Sequence, residues 1–427
     1  MKDRIRKELR IASQFVQAFG KWLGIAGVIG VIGGLVGAAF YLSIAGVASL
    51  WSQNAWLLWL LPIAGVCIVA SYQLTRMQGK STNTVIDMIH TGERVPLLLA
   101  PVIFAATTVT HLCGGSAGRE GAALQIGGSL GCNIGGLFRL DDKDMRLATF
   151  CGMSAVFAAL FGTPLTAAFF ALEVVSVGVV HYSGLVPCMT SAIVAYGVTQ
   201  LFHIAPTHFT ISALALTGDM LWRVAILAIL CALMSIVFCV VMHGVEHVSK
   251  KLLPNAYLRV LVGGALLIAL TKLLGTTDYN GAGAAVLKSA VEQGVAVPSA
   301  FLWKLLFTAI TLGVGFKGGE VVPSFFVGAT FGCVVGPLLG VPASFAAAIG
   351  LVAVFCGAVN CPGASIMLSI ELFGSEGLVY FAVACGVSYM LSGYYGLYSS
   401  QKIAYSKTKA EYINIQANDS YSSERRD

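Results

Sequence analysis

Charge is what this sequence has least of. Only 11% of its 427 residues are Asp, Glu, Lys or Arg, against 57% hydrophobic ones, and mean hydropathy is +0.83. A soluble fold of this composition would have too few polar side chains to cover its outside. Uncharged runs extend from Trp22 to Trp51, from Leu147 to Leu172 and from Val321 to Ile370. A membrane-spanning helix needs about 20 such residues, so the last run holds more than one membrane segment. The apolar stretches are continuous rather than alternating, which excludes a β-barrel. Paired cysteine motifs are absent too. The eleven cysteines are scattered through apolar segments without a CxxC, and read as small buried residues, not disulfides or metal ligands. No cofactor is expected. The N-terminus is too charged, and the run after it too long, for a cleaved signal peptide.

The charge that exists, net +6, sits mostly at the ends, in Met1 to Arg10 and in Lys402 to Arg426. The positive-inside bias then places both termini in the cytoplasm, beside lipid headgroups and with no nucleic-acid partner. The expectation is an all-α, multi-pass protein of an inner or plasma membrane. Its layout is a cytoplasmic helix over 1–20, a membrane repeat over 21–215, a second over 216–405, and a short polar cytoplasmic tail over 406–427 with no regulatory domain.

The repeat is written in acidic residues and glycines. Glu120 ends Gly114-Gly115-Ser116-Ala117-Gly118-Arg119-Glu120, and Glu320 ends Gly313-Val314-Gly315-Phe316-Lys317-Gly318-Gly319-Glu320. Eight residues after each stands another glycine (Gly128, Gly328), then a Phe-Cys-Gly tripeptide (Phe150 to Gly152; Phe355 to Gly357). Pro164 to Glu173 and Pro362 to Glu371 close the two copies. Helices broken at such clusters within membrane depth line cavities, and matched broken segments point to a binding site where repeats meet. Gly114, Gly115, Gly118 and Gly121 let a loop expose backbone N–H groups and then start a helix at its positive end; Gly318, Gly319 and Pro323 do the same in the second copy. Two such ends make an anion site. A glutamate there can occupy the anion's place and leave it when protonated, and intramembrane acids are functional by default. Glu173 and Glu371 read as structural or rim acids, and Lys317 as a charge beside the second loop.

Gly118-Arg119-Glu120-Gly121, Gly318-Gly319-Glu320-Val321-Val322-Pro323 and Leu397-Tyr398-Ser399 resemble the three core signatures of the CLC family of anion channels and anion/proton antiporters, and the similarity extends from about Trp22 to Tyr405. The resemblance implies a homodimer, one anion pathway per subunit, and a fold of two inverted repeats whose broken helices meet at a midplane anion site. It implies Glu120 as gating glutamate, Tyr398 as inner-gate tyrosine, and Val321 as the position whose N–H faces the central anion, with Val322 beside it. Arg119, Ala122 with Gln125, and Glu320 resemble the fluoride/proton antiporter branch. Val174 stands where chloride/proton antiporters carry their inner proton glutamate, and Glu320 supplies a second titratable group. The inner anion segment falls at Gly79-Lys80-Ser81-Thr82-Asn83-Thr84, without the family's Gly-Ser-Gly-Ile-Pro; Ser81, Thr82 or Asn83 are its candidate donors.

The function expected is export of a small halide, fluoride ahead of chloride, in exchange for protons, not enzymatic catalysis. The alternative of the same fold is a chloride-selective channel or chloride/proton antiporter. A remote alternative rests on His243-Gly244-Val245-Glu246-His247, which fits the HxxEH pattern of a zinc protease. Its internal glycine and the following Ser249-Lys250-Lys251 favour a helix end at the headgroups.

Overall fold

The computed structural model describes residues 2–212 and 214–418. Its first half contains α1 (Lys2–Gln53), a 3₁₀ turn, α2 (Leu61–Leu74), α3 (Thr82–Thr91), α4 (Leu99–Leu112), α5 (Glu120–Leu137), α6 (Asp142–Phe161), α7 (Pro164–Glu173) and α8 (Leu185–Leu201). The second contains α9 (Gly218–Leu252), α10 (Ala256–Leu274), α11 (Ala284–Lys288), running into a π-helical turn, α12 (Ala300–Val314), α13 (Val321–Val335), α14 (Ala343–Val359), α15 (Pro362–Phe373) and α16 (Leu378–Leu391). Among the described residues, seven helical segments are long and apolar enough to cross a membrane. Side chains set the ends. Asp141 accepts the Asp144 N–H (2.8 Å) to open α6, and Thr217 accepts that of Met220 (3.2 Å) to open α9.

Each half packs one helix pair through glycine. A Cβ on Gly127 of α5 would strike the Gly152 carbonyl of α6, and one on Gly131 the Ala148 carbonyl. In the second half Gly328 and Gly332 of α13 stand in the same way against Gly350 and Ala346 of α14. Small residues let the backbones approach where lipid supplies no hydrophobic drive between helices.

The halves are related by a two-fold exchange. The Glu371 carboxylate at the end of α15 accepts the Leu165 and Thr166 N–H groups (2.8 Å each) and the Thr166 hydroxyl (2.6 Å) at the start of α7. In return Glu173, at the end of α7, accepts the Ala364 N–H (2.9 Å) at the start of α15. Each helix end carries orphan N–H groups and a positive dipole end; here each is capped by the other repeat. Each of the two acids therefore caps a helix of the other repeat, and the repeats are inverted.

Two expected boundaries move. Residues 2–20 are not a separate helix: α1 runs unbroken through the change from charged to apolar side chains. That change alters the solvent around the helix, not its backbone ladder, and Lys and Arg are good helix formers. Lys21, at the junction, pairs with Asp144. The polar tail holds structure as well. β2 (Lys402–Tyr405) pairs antiparallel with β3 (Tyr412–Gln416) and parallel with β1 (Ser176–Val177) in a small peripheral sheet. Ile413 and Ile415 pack on Val177, Ile403 and Ala417, and Asn418 ties the hairpin to Tyr394 and Gly396.

Candidate functional site

The two glycine loops meet at the centre of the molecule. The Gly118 N–H donates to the Gly319 carbonyl (2.7 Å) and the Gly319 N–H to the Gly118 carbonyl (2.8 Å), an isolated antiparallel bridge between the repeats. No side chain fits here. A Cβ on Gly318 would strike Ala117, one on Gly319 would lie 2.6 Å from the Gly121 nitrogen, and one on Gly118 would strike the Glu120 carboxylate. The loops are braced from outside: the Ser116 N–H donates to Thr311 Oγ1 (3.1 Å) and Ser116 Oγ meets Thr308 Oγ1 (3.0 Å).

From this bridge α5 and α13 diverge. Glu120 is the first residue of α5 and fully buried. Its Oε2 accepts the Arg119 N–H (2.9 Å) and, across the repeat boundary, the Val322 N–H (3.3 Å) at the start of α13. Its Oε1 has no partner. A carboxylate oxygen is thus seated on the N-terminus of the other repeat's helix, where backbone amides favour negative charge. The Arg119 guanidinium lies 4.6 Å from the Tyr41 ring and donates to the Leu160 carbonyl (3.3 Å).

A cavity opens on each side of the bridge. One, of about 620 Å³, is lined by Trp51, His111, Arg119, Glu120, Val322 and Phe325 among others. The other, of about 150 Å³, is lined by Ser81, Thr82, Asn83, Gln125, Lys317, Gly318, Glu320 and Tyr398, with His243 and Glu246 of α9. Glu320 Oε2, the Tyr398 hydroxyl and Gln125 Oε1 are buried without partners. Leaving such groups unsatisfied costs about 1–3 kcal/mol each, and their concentration in one small space marks it as a place for water or a polar ligand.

The sequence-expected residues therefore converge. Gly118, Arg119, Glu120, Gly121, Gly318, Gly319, Glu320, Val321 and Val322 surround the bridge, and Tyr398, Ser81, Thr82 and Asn83 face it across the smaller cavity. In the 79–84 segment, Ser81 is the N-cap of α3, and its N–H donates to Thr84 Oγ1 (3.2 Å). Thr82 Oγ1 reaches the Gly121 carbonyl (3.2 Å), Gln125 Nε2 reaches the same carbonyl and Thr82 (3.2 Å each), and Asn83 Oδ1 accepts the Ser400 N–H (3.3 Å). Val174 is fully buried, and its carbonyl accepts the Gln401 amide (3.0 Å). The HxxEH residues are engaged elsewhere. His243 Nε2 meets the Gly396 carbonyl (2.9 Å), and Glu246 pairs with Lys250 (2.5 Å). Among the described residues no three His, Cys, Asp or Glu side chains gather.

One element of the site escaped the sequence reading. Lys304 of α12 is completely buried and donates to the Tyr279 (3.2 Å) and Gly281 (2.6 Å) carbonyls. Gly281 also accepts the Ala117 N–H (3.2 Å), and Asn280 Nδ2 donates to the Gly114 carbonyl (2.9 Å). Lys304 thus holds the segment that supports the first glycine loop. A lone lysine in an apolar helix was the available signal.

Inverted repeats, broken helices converging at the repeat boundary, and a cavity on each side define a membrane transport protein of the channel or secondary-transporter class. The particular family follows from comparison. The model of the voltage-gated chloride channel family matches residues 64–393, so this chain belongs to the CLC family. It is 38% identical to the chloride/fluoride channel protein of Pseudomonas syringae pv. tomato over 398 residues, covering 91% of this chain and 87% of that protein. Identity with the H(+)/Cl(-) exchange transporter ClcA of Yersinia pestis is 24% over 396 residues, 83% and 80% of the two chains. Among solved structures, a CLC-type fluoride/proton antiporter superposes with a TM-score of 0.86 at 31% identity, covering 90% of this chain and 98% of that one. A slow cyanobacterial Cl⁻/H⁺ antiporter gives 0.75 at 20% identity, covering 87% and 94%, a likeness of fold.

Proposed function

We propose that this protein is a CLC-type halide transporter that exports fluoride in exchange for protons, from an inner or plasma membrane, as a homodimer with both termini in the cytoplasm. The observation that carries the reading is the Glu120 carboxylate seated on the Val322 amide between two cavities. In that position it stands where a permeant anion would be held. Protonation removes the charge that the helix end attracts, so the side chain leaves with its proton and the anion takes the place. Proton and halide then use one site in turn.

Glu320, open to the smaller cavity with an unpartnered oxygen, is the second titrating group, in a chain whose residue 174 is valine. Fluoride is favoured over chloride because a small anion gives up a tightly held hydration shell and needs short-reach donors in exchange. The Tyr398 hydroxyl, a protonated Glu320, the amides at the starts of α5 and α13, and the Ser81-Thr82-Asn83 turn are such donors. Four of these residues line one cavity with Glu320. In proteoliposomes under equal gradients, fluoride efflux is expected to exceed chloride efflux and to carry protons inward. Chloride flux equal to or faster than fluoride flux would transfer the assignment to the chloride branch.

A further inference from the structure

The smaller cavity contains a second carboxylate that the gating scheme does not use. Glu246 lies in the last turns of α9, and its side chain is about half exposed (46%). It lines the same cavity as the working end of the site, where Tyr398 is buried and Glu320 holds a buried, unpartnered Oε2. Its position is set by backbone packing. Gly313, at the head of the second glycine segment, has no side chain, and a Cβ there would lie 3.1 Å from the Glu246 nitrogen. Ser249 Oγ, one turn on, donates to the Gly313 carbonyl (2.6 Å). Glu246 is therefore packed against the start of the segment that ends in Glu320, with its carboxylate at the mouth and Glu320 at the inner end.

We propose that Glu246 is the entry group of a proton relay that delivers protons through the water of this cavity to Glu320; this rests on the antiport reading given above. The volume, about 150 Å³, is well above the roughly 10–15 Å³ that one water needs, so the cavity has room for several waters. The step balances simply. A hydronium or buffer acid at the mouth forms an O–H bond on the Glu246 carboxylate and leaves as its conjugate base. Glu246 then gives that proton to the water chain, a proton arrives on the Glu320 carboxylate, and Glu246 returns to its ion pair with Lys250 (2.5 Å). The groups that face Glu246 favour this cycle. Lys250 and His243 on its own helix, and Lys317 and Lys80 across the cavity, present positive charge or donors. Lys317 lines the same cavity as both Glu246 and Glu320. The half-exposed mouth and the buried inner end are what a relay requires and what a solvated rim charge does not.

The test is the halide-to-proton ratio of reconstituted protein, measured by simultaneous fluoride-electrode and pH recording, with the pH of each side varied in turn. Glu246→Gln is expected to lower proton flux about tenfold while fluoride flux falls less, so the ratio rises, and to flatten the dependence on pH at the face carrying the 402–418 hairpin alone. Glu246→Asp is expected to restore most of the coupling. A purely structural role would lower both fluxes together. Should Glu246→Gln not assemble, Glu246→Cys treated with a carboxyethyl or a trimethylammonium-ethyl thiosulfonate provides the same comparison, the acid restoring coupling and the cation not. Unchanged ratio and pH profile in Glu246→Gln would overturn the relay alone, whereas a wild-type protein that moves no protons would overturn the antiport reading beneath it.

Discussion

Glu120 and Glu320 occupy equivalent places in two copies of one sequence pattern, yet the fold holds them in opposite ways. Glu120 opens α5 and lays one oxygen on two amides, its own Arg119 and the other repeat's Val322. Glu320 is the N-cap of α13, and its Oε2 meets no donor. The bridge explains the asymmetry. Gly118 aligns with Gly318 in the repeat, but it pairs with Gly319, so the loops meet one residue out of strict symmetry. One helix starts at its glutamate and the other just after it. Duplication supplied two acids at one junction, and a one-residue offset seated one on a helix end and left the other an open group facing a small polar cavity.

The largest test of that contrast is Glu120→Gln. The amide keeps the size of the side chain but can neither carry a mobile proton nor be drawn to a helix end as an anion. Uphill proton movement driven by a halide gradient is expected to vanish in proteoliposomes, with halide leak remaining. Uphill pumping that persists in this variant would show that the seated carboxylate is not the exchanging group. Glu320→Ala is next. It should disable coupling, with the dimer still eluting as a single species on gel filtration, because among the described residues Glu246 is the only other acid that lines this cavity. A fully coupled Glu320→Ala protein would erase the functional difference between the two glutamates and remove the main argument for fluoride.

Much of this was written in the sequence. Charge-free runs gave the membrane class, and the matched glycine–glutamate segments identified both loops of the site, because close backbone approach tolerates no other residue at Gly118 or Gly319. What stayed hidden depended on long-range contact or on backbone continuity. The caps of α7 and α15 join residues about 200 positions apart, so Glu173 and Glu371 looked like two ordinary helix acids. The break expected at residue 20 followed side-chain polarity, whereas the α1 backbone ladder ignores it. Tyr412-Ile413-Asn414-Ile415-Gln416 does alternate with period two, a signal that the polarity of the tail concealed. Glu246 was read only as part of a metal motif. Helical spacing put it on one face with His243 and His247, but the cavity beside that face is visible only once α12 is packed against α9.

The smallest expected effect compares the two caps. Glu371 satisfies two N–H groups and a hydroxyl at the start of α7; Glu173 meets the start of α15 through backbone N–H groups alone, that of Ala364 at 2.9 Å. Losing a charged helix cap costs about 1 kcal/mol, and up to ~2 kcal/mol where the geometry is partly buried. Glu371→Ala should therefore lower the melting temperature in detergent more than Glu173→Ala does, with the double variant near the sum, since the two carboxylates cap opposite ends of the antiparallel pair. Neither should change the halide-to-proton ratio, because the caps hold the repeats together and do not line the cavity that contains Glu320. Equal melting shifts would mean that the unequal hydrogen bonding carries no energetic weight. A shift in coupling from Glu173→Ala would instead place that acid on the proton route beside Val174, and the structural reading of the pair would fall with it.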